Sequence, residues 1–150
     1  MQNLKRTTSD DPDFQQLVAL LDADLAIRDG DEHAFYARFN TTGNLRNVIV
    51  CYDGDRAIGC GAFREYDKEK AEIKRMFVQP EHRGHGVGLI ILKELEGWAA
   101  EENYGKCILE TGIKQPEAIR LYEKAGYART INYGQYLNIE NSVCMIKAIL

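Results

Sequence analysis

The chain has 150 residues, of which 45% are hydrophobic and 28% charged, and a formal net charge of −4 at pH 7. That length suits one compact domain burying roughly 70% of its extended surface, with no room for a second. No run approaches the ~20 apolar residues of a membrane span, Met1 to Phe14 lack a signal peptide's apolar core, and basic residues scattered without a stripe disfavour nucleic acid. The expectation is a single domain over residues 1–150 in the cytoplasm, without membrane or nucleic-acid partners.

Leu4 to Thr8 predicts a short first strand. Asp10-Asp11-Pro12 then offers N-cap side chains and a proline near the first helical position. Phe14, Leu17, Leu20, Leu21, Leu25 and Ala26 recur at helical spacing until Asp29-Gly30-Asp31. A second short helix is expected at Glu32 to Arg38. Asn47 to Tyr52 and Ala57 to Tyr66 flank Asp53-Gly54-Asp55 as a hairpin, and Ala71 to Val78 adds a third strand, stopped by Gln79-Pro80. From Val87 to Glu101 an apolar stripe of Val87, Ile91, Leu95 and Trp98, with Leu92 and Ala99 beside them, lies opposite Lys93, Glu94, Glu96 and Glu101. Lys106 to Thr111 reads as a strand and Gln115 to Ala125 as a helix with Gly126 at its end. Strands follow near Tyr127 to Asn132 and Ser142 to Ile149. The alternation of strands and helices in the second half predicts an α/β fold, α+β by some conventions, with a mixed sheet and helices on both faces.

Four cysteines, Cys51, Cys60, Cys107 and Cys144, lie far apart in apolar runs without C-x-x-C spacing, which predicts reduced core thiols and no metal site.

The segment Arg83-Gly84-His85-Gly86-Val87-Gly88 joins the strand ending at Val78 to the helix opening at Val87. Glycines bring backbone close to a ligand, and a helix start offers unpaired N–H groups at a positive dipole end, so the segment has the makings of a phosphate cradle. The forked donors of Arg83 suit a pyrophosphate better than a single carboxylate. The P-loop pattern is unmet, because no lysine followed by serine or threonine comes after these glycines. The dinucleotide pattern G-x-G-x-x-G is unmet as well, because position 89 is leucine.

The same six residues resemble the R-x-x-G-x-G/A acetyl-CoA signature of the GNAT superfamily of N-acetyltransferases. Upstream, Ala71-Glu72-Ile73-Lys74-Arg75-Met76-Phe77-Val78-Gln79-Pro80 is similar to that family's fourth strand. Downstream, Gln115 to Tyr127 is similar to its N-x-x-A-x-x-L-Y-E-K-x-G-F segment, with glutamine where asparagine is usual. The resemblance spans roughly residues 47 to 132. It implies a mixed, largely antiparallel sheet of six to seven strands with about four helices, and transfer of acetyl from acetyl-CoA to a primary amine in a ternary complex. It also implies a small-molecule acceptor, no metal, and a homodimer as an assembly open to the chain. A protein or peptide acceptor, and a non-catalytic coenzyme-A-binding regulator, remain the alternatives.

The resemblance also implies roles. The backbone of Met76, Phe77 and Val78 would pair with the pantetheine arm, and an N–H near Phe77 or Val78 would polarise the thioester carbonyl. Backbone N–H groups of Gly84, His85, Gly86, Val87 and Gly88, with Arg83, would hold the pyrophosphate, and Gln115 would reach the pantetheine. Tyr122 would stabilise the departing thiolate. Glu72 matches the catalytic glutamate of the histone-acetylating branch and is either the base or a solvated or salt-bridged strand residue, with Glu110 its weaker rival. His82 and His85 read as solvated loop residues, and His33 as a surface one. Asp24, Asp29, Asp31, Tyr133, Gly134 and Tyr136 are assigned either to the amine pocket or to ordinary turns and surface.

Overall fold

The computed structural model describes residues 2–30 and 44–150, with the side chain of Asp29 left aside. The helix expected at Glu32 to Arg38, together with Asp31 and His33, lies outside the described residues. Within them the order is β1 (Gln2–Thr7), α1 (Pro12–Asp29), β2 (Asn47–Asp53), β3 (Arg56–Glu65), β4 (Lys70–Val78), α2 (Val87–Glu101), β5 (Lys106–Gly112), α3 (Pro116–Lys124), β6 (Ala128–Thr130) and β7 (Ser142–Ala148). The strands form one seven-stranded mixed sheet in the order β1-β2-β3-β4-β5-β7-β6. Only β4 and β5 pair in parallel, joined by the crossover through α2.

α1 starts where the sequence places it. The Asp11 carboxylate accepts from the N–H groups of Asp13 and Phe14 at 2.9 and 3.3 Å, and Pro12 stands in the first turn. Its buried stripe is Phe14, Leu17, Val18 and Leu21, packed on Val48, Val50, Cys60, Ala62 and Phe77. Leu20, expected in that stripe, is 48% exposed, because positions 14, 17, 18 and 21 follow the 3.6-residue period and position 20 falls off it. α2 covers the opposite face, laying Val87, Ile91, Leu92, Leu95 and Ala99 on Ile49, Cys51, Ile58 and Phe63. With a helix on each side, β2 and β3 are buried on both faces, and so read as apolar runs instead of alternating ones.

Gly61 lets α2 approach. A Cβ there would stand 2.9 Å from Leu95 Cδ1, 3.0 Å from Ile91 Cγ2 and 2.5 Å from Met76 Sδ. We expect Gly61→Ala to destabilise the protein by about 1–3 kcal/mol, since the two α2 side chains must leave packed rotamers. Thermal unfolding checks this as a fall in Tm of several degrees.

The feature that builds the site is a bulge in β4. Cys60 faces Phe77 and Ala62 faces Lys74, so Gly61 alone opposes both Arg75 and Met76. Arg75 takes a left-handed φ of 60°, a strained conformation for a non-glycine residue. Its tertiary contacts hold it there: the side chain is buried in an ion pair with Asp22 of α1, and its carbonyl accepts from Cys60 Sγ at 3.4 Å. A bulge bends its strand and increases the local twist. β4 and β5 accordingly pair only over Lys70–Glu72 and Lys106–Ile108 and then diverge.

Candidate active site

Past Glu72 the diverging strands leave one edge of β4 without a partner strand among the described residues. The Gln79 N–H donates to Ile58 O on β3 at 2.8 Å. By the two-residue period of a strand, the polar groups of Val78 therefore face the open edge. Arg83 supports this geometry: its Nε donates to Val78 O at 2.8 Å, and its guanidinium lies 5.5 Å from the Phe77 ring centroid.

Two cavities adjoin in the gap, of about 330 and about 100 Å3. The larger runs along Met76, Phe77 and Val78 to the loop at Arg83, Gly84, Gly86, Val87 and Gly88. The smaller lies between β4, β5, α1 and α3. Leu21, Met76, Gln115, Ala118 and Tyr122 belong to both walls, which sets Tyr122 where the two meet.

The loop is built as the sequence suggests. Gly84 and Gly86 have φ of 81° and 83°, and Gly86 caps α2 from the left-handed region. The first intrahelical bond runs from Ile90 N–H to Gly86 O, so the N–H groups of the preceding turn remain available to an anion. Gly88 serves a different need: a Cβ there would come within 3.1 Å of Leu121 Cδ2, so its absence lets α2 and α3 meet. His85 is exposed and its side chain is not in the cavity wall. His82, read from sequence as solvated, lines the larger cavity, and its Nε2 is buried with no hydrogen-bond partner among the described residues.

Tyr122 is 6% exposed. Burial, then the charge of Glu110, pushes its phenol well above the ordinary range. Its ring packs edge-on to Tyr127 at 5.9 Å.

The two carboxylates considered as bases have different surroundings. Glu110 is in the wall of the smaller cavity beside Tyr122. Glu72 is 1% exposed and belongs to neither wall. One of its oxygens accepts from Arg64 Nε at 2.9 Å and the other from Tyr133 Oη at 2.8 Å. Tyr133 in turn packs against Tyr66 and Tyr136, with ring centroids 5.1 and 5.9 Å away. Asp24 reaches the wall of the larger cavity and pairs with Arg28 at 3.3 Å. Among the cavity residues not foreseen from sequence are Leu21 and Leu25 on α1 and Lys74 and Arg75 on β4. For Lys74 and Arg75 no local signal existed, since their placement depends on the bulge.

All four cysteines are buried free thiols. Burial pushes Cys60 and Cys107 up to about 12, which leaves them inert as nucleophiles near neutral pH.

Comparison with known proteins agrees with this geometry. Residues 14–127 match the acetyltransferase (GNAT) family profile, and the chain belongs to that family. Over 89 residues it is 39% identical to the IAA acetyltransferase of Azospirillum brasilense, a match covering 59% of this chain and 58% of that protein. The matched segments span less than two thirds of the length of this and two Bacillus subtilis relatives. The whole fold resembles a putative acyl-CoA N-acyltransferase from Klebsiella pneumoniae subsp. pneumoniae MGH 78578, with a TM-score of 0.84 and 27% identity, covering 100% of this chain and 99% of that one. It also shares its fold with a GNAT family acetyltransferase from Elizabethkingia anophelis with acetyl-CoA bound, at a TM-score of 0.69 and 18% identity, covering 98% and 97% of the two chains. No helix among the described residues is long and apolar enough to cross a membrane.

Proposed function

We propose that this protein transfers the acetyl group of acetyl-CoA to a primary amine of a small molecule, by direct attack within a ternary complex. The observation that carries the reading is the cleft itself, where an open strand edge, a glycine-rich helix start and a buried tyrosine line one continuous space. Val78 offers its backbone to the pantetheine, and Met76 and Phe77 line the cavity beside it. Arg83 and the N–H groups of Gly84, His85, Gly86, Val87 and Gly88 hold the pyrophosphate. Gln115, whose side chain is one methylene longer than asparagine, keeps an amide donor and acceptor at the cavity wall. The setting we infer is cytoplasmic, in keeping with four reduced thiols.

In the step itself the amine lone pair attacks the thioester carbonyl carbon, the carbonyl oxygen gains charge facing the β4 edge, and the C–S bond then breaks with its electron pair going to sulfur. Tyr122 donates a hydrogen bond to that sulfur. With its phenol raised above ~10 against a thiol near ~8.5, complete proton transfer would cost at least about 2 kcal/mol, so stabilisation of the thiolate is its main contribution. Holding both reactants together supplies roughly 7–11 kcal/mol. The amine must arrive neutral, which costs about 4.6 kcal/mol at pH 7 for an amine with a pKa near ~10.4. We assign to Glu110, which lines the cavity, the transfer of the ammonium proton to solvent and then acceptance of the second proton, which the nitrogen sheds as the amide forms. Glu72, the base expected from the resemblance, we assign to anchoring Arg64 and Tyr133, with both its oxygens already engaged.

Calorimetry with acetyl-CoA and thiol release over an amine panel test the reading. We expect binding and amine-dependent release. Binding without release from any amine would make the protein a coenzyme-binding module, and no heat at millimolar coenzyme would remove the cradle. Glu110→Gln should lower kcat about a hundredfold, with the deficit shrinking as pH rises and free amine accumulates. Glu72→Gln should lower it only a few-fold. The reverse order would return the base to Glu72.

A further inference from the structure

We infer that the acceptor carries a carboxylate next to its amine, and that Lys74 and Arg75 bind this group in the smaller cavity. The inference rests on the acetyl-transfer reading above and adds the class of acceptor, a free amino acid or a close analogue.

The smaller cavity runs along the bulged edge of β4, and both Lys74 and Arg75 belong to its wall, between Ile73 and Met76. They are 9% and 5% exposed, unusually deep for cationic side chains. The Arg75 guanidinium pairs with Asp22 through Nη2. Its Nε is buried and has no hydrogen-bond partner among the described residues. A buried guanidinium N–H without an acceptor is unfavourable, and a ligand carboxylate in the adjoining cavity supplies one. Burial also lowers Lys74 from its ordinary value against the opposing pull of Glu72 and Glu110, so an anion beside it restores the solvation it lost.

Glu110 in the same wall provides the complementary negative charge near Tyr122, where the amine must sit. A zwitterion matches both signs. A polyamine would bring its further positive charges against Lys74 and Arg75, and a peptide N-terminus has no carboxylate next to its amine. The cavity therefore selects by repulsion as well as attraction.

Matched acceptors test this by thiol release with the unmodified protein: phenylalanine, phenylalaninamide and 2-phenylethylamine, with histidine, histidinamide and histamine as a second set. We expect kcat/KM for the better amino acid to exceed that of its amide and its decarboxylated amine by at least tenfold, a difference of about 1.4 kcal/mol. Amine reactivity does not produce this result, because the neutral amide has the more acidic ammonium and more free amine at pH 7. Lys74→Met should shrink the ratio at least tenfold through KM for the amino acid. Equal or better turnover of the amines or amides overturns the inference, as does an unchanged ratio in a folded Lys74→Met protein or no turnover of either set. The ratio in the unmodified protein decides the matter if the variant fails to fold. Calorimetry with acetyl-CoA on the same sample separates the two readings: coenzyme binding with turnover of carboxylate-free amines removes only the acceptor class, whereas absence of binding removes the acetyl-transfer reading too.

Discussion

We expect Tyr122→Phe to lower kcat by roughly ten- to a hundredfold and to change acetyl-CoA affinity little. The ring contributes packing, buried at 6% exposure and set edge-on to Tyr127, and phenylalanine keeps that shape. Only the hydroxyl is lost, and it donates to no group among the described residues, so neither folding nor the pyrophosphate loop depends on it. The proposed loss falls where charge collects on sulfur as the C–S bond breaks. Because burial and Glu110 hold the phenol above its ordinary range, it stays protonated throughout pH 6 to 9, and the deficit should be flat across that range. Steady-state thiol release checks the first part and calorimetry the second. Undiminished kcat removes Tyr122 from the chemistry.

Arg83→Ala is expected to weaken acetyl-CoA binding by roughly ten- to a hundredfold, the magnitude of a lost charge-assisted contact. Arg83 presently donates to Val78 O at 2.8 Å. Binding the pantetheine at that edge means giving up this contact for one with phosphate, a short swing for an exposed side chain. Arg83→Lys should fall between, keeping the charge and losing the fork. The variant's affinity should also depend less on salt, because an ionic contact is missing. Titration at two ionic strengths checks both, and an affinity equal to that of the unmodified protein refutes the assignment.

The local signals in the sequence were dependable wherever structure is local. The α2 bounds, the Asp11 cap and the hairpin at Gly54 follow from periodicity, side-chain capping and turn chemistry, and the structure has them. The glycine-rich loop and its place before α2 were equally legible. What escaped depends on residues far apart in the chain. The bulge at Arg75 arises from register with β3 and from Asp22 on α1, so nothing within Ala71 to Val78 announces it. Arg64 and Tyr133 grip Glu72 from 8 and 61 residues away, contacts that the residues around Glu72 do not announce. β7 inserts between β5 and β6, a choice of partner that alternation of apolar residues does not encode. β6 is correspondingly short, Ala128–Thr130 instead of Tyr127 to Asn132.

The two halves of the sheet meet through a seam of only three residue pairs between β4 and β5. Acetyl-CoA lying along the vacant edge would act as a removable staple across that seam, contacting β4 and α2 on one side and α3 on the other. Its binding energy would then count toward cohesion of the whole molecule, adding about 2.7 kcal/mol at a hundred times the dissociation constant. A protein assembled this way gains rigidity only while its cosubstrate is abundant.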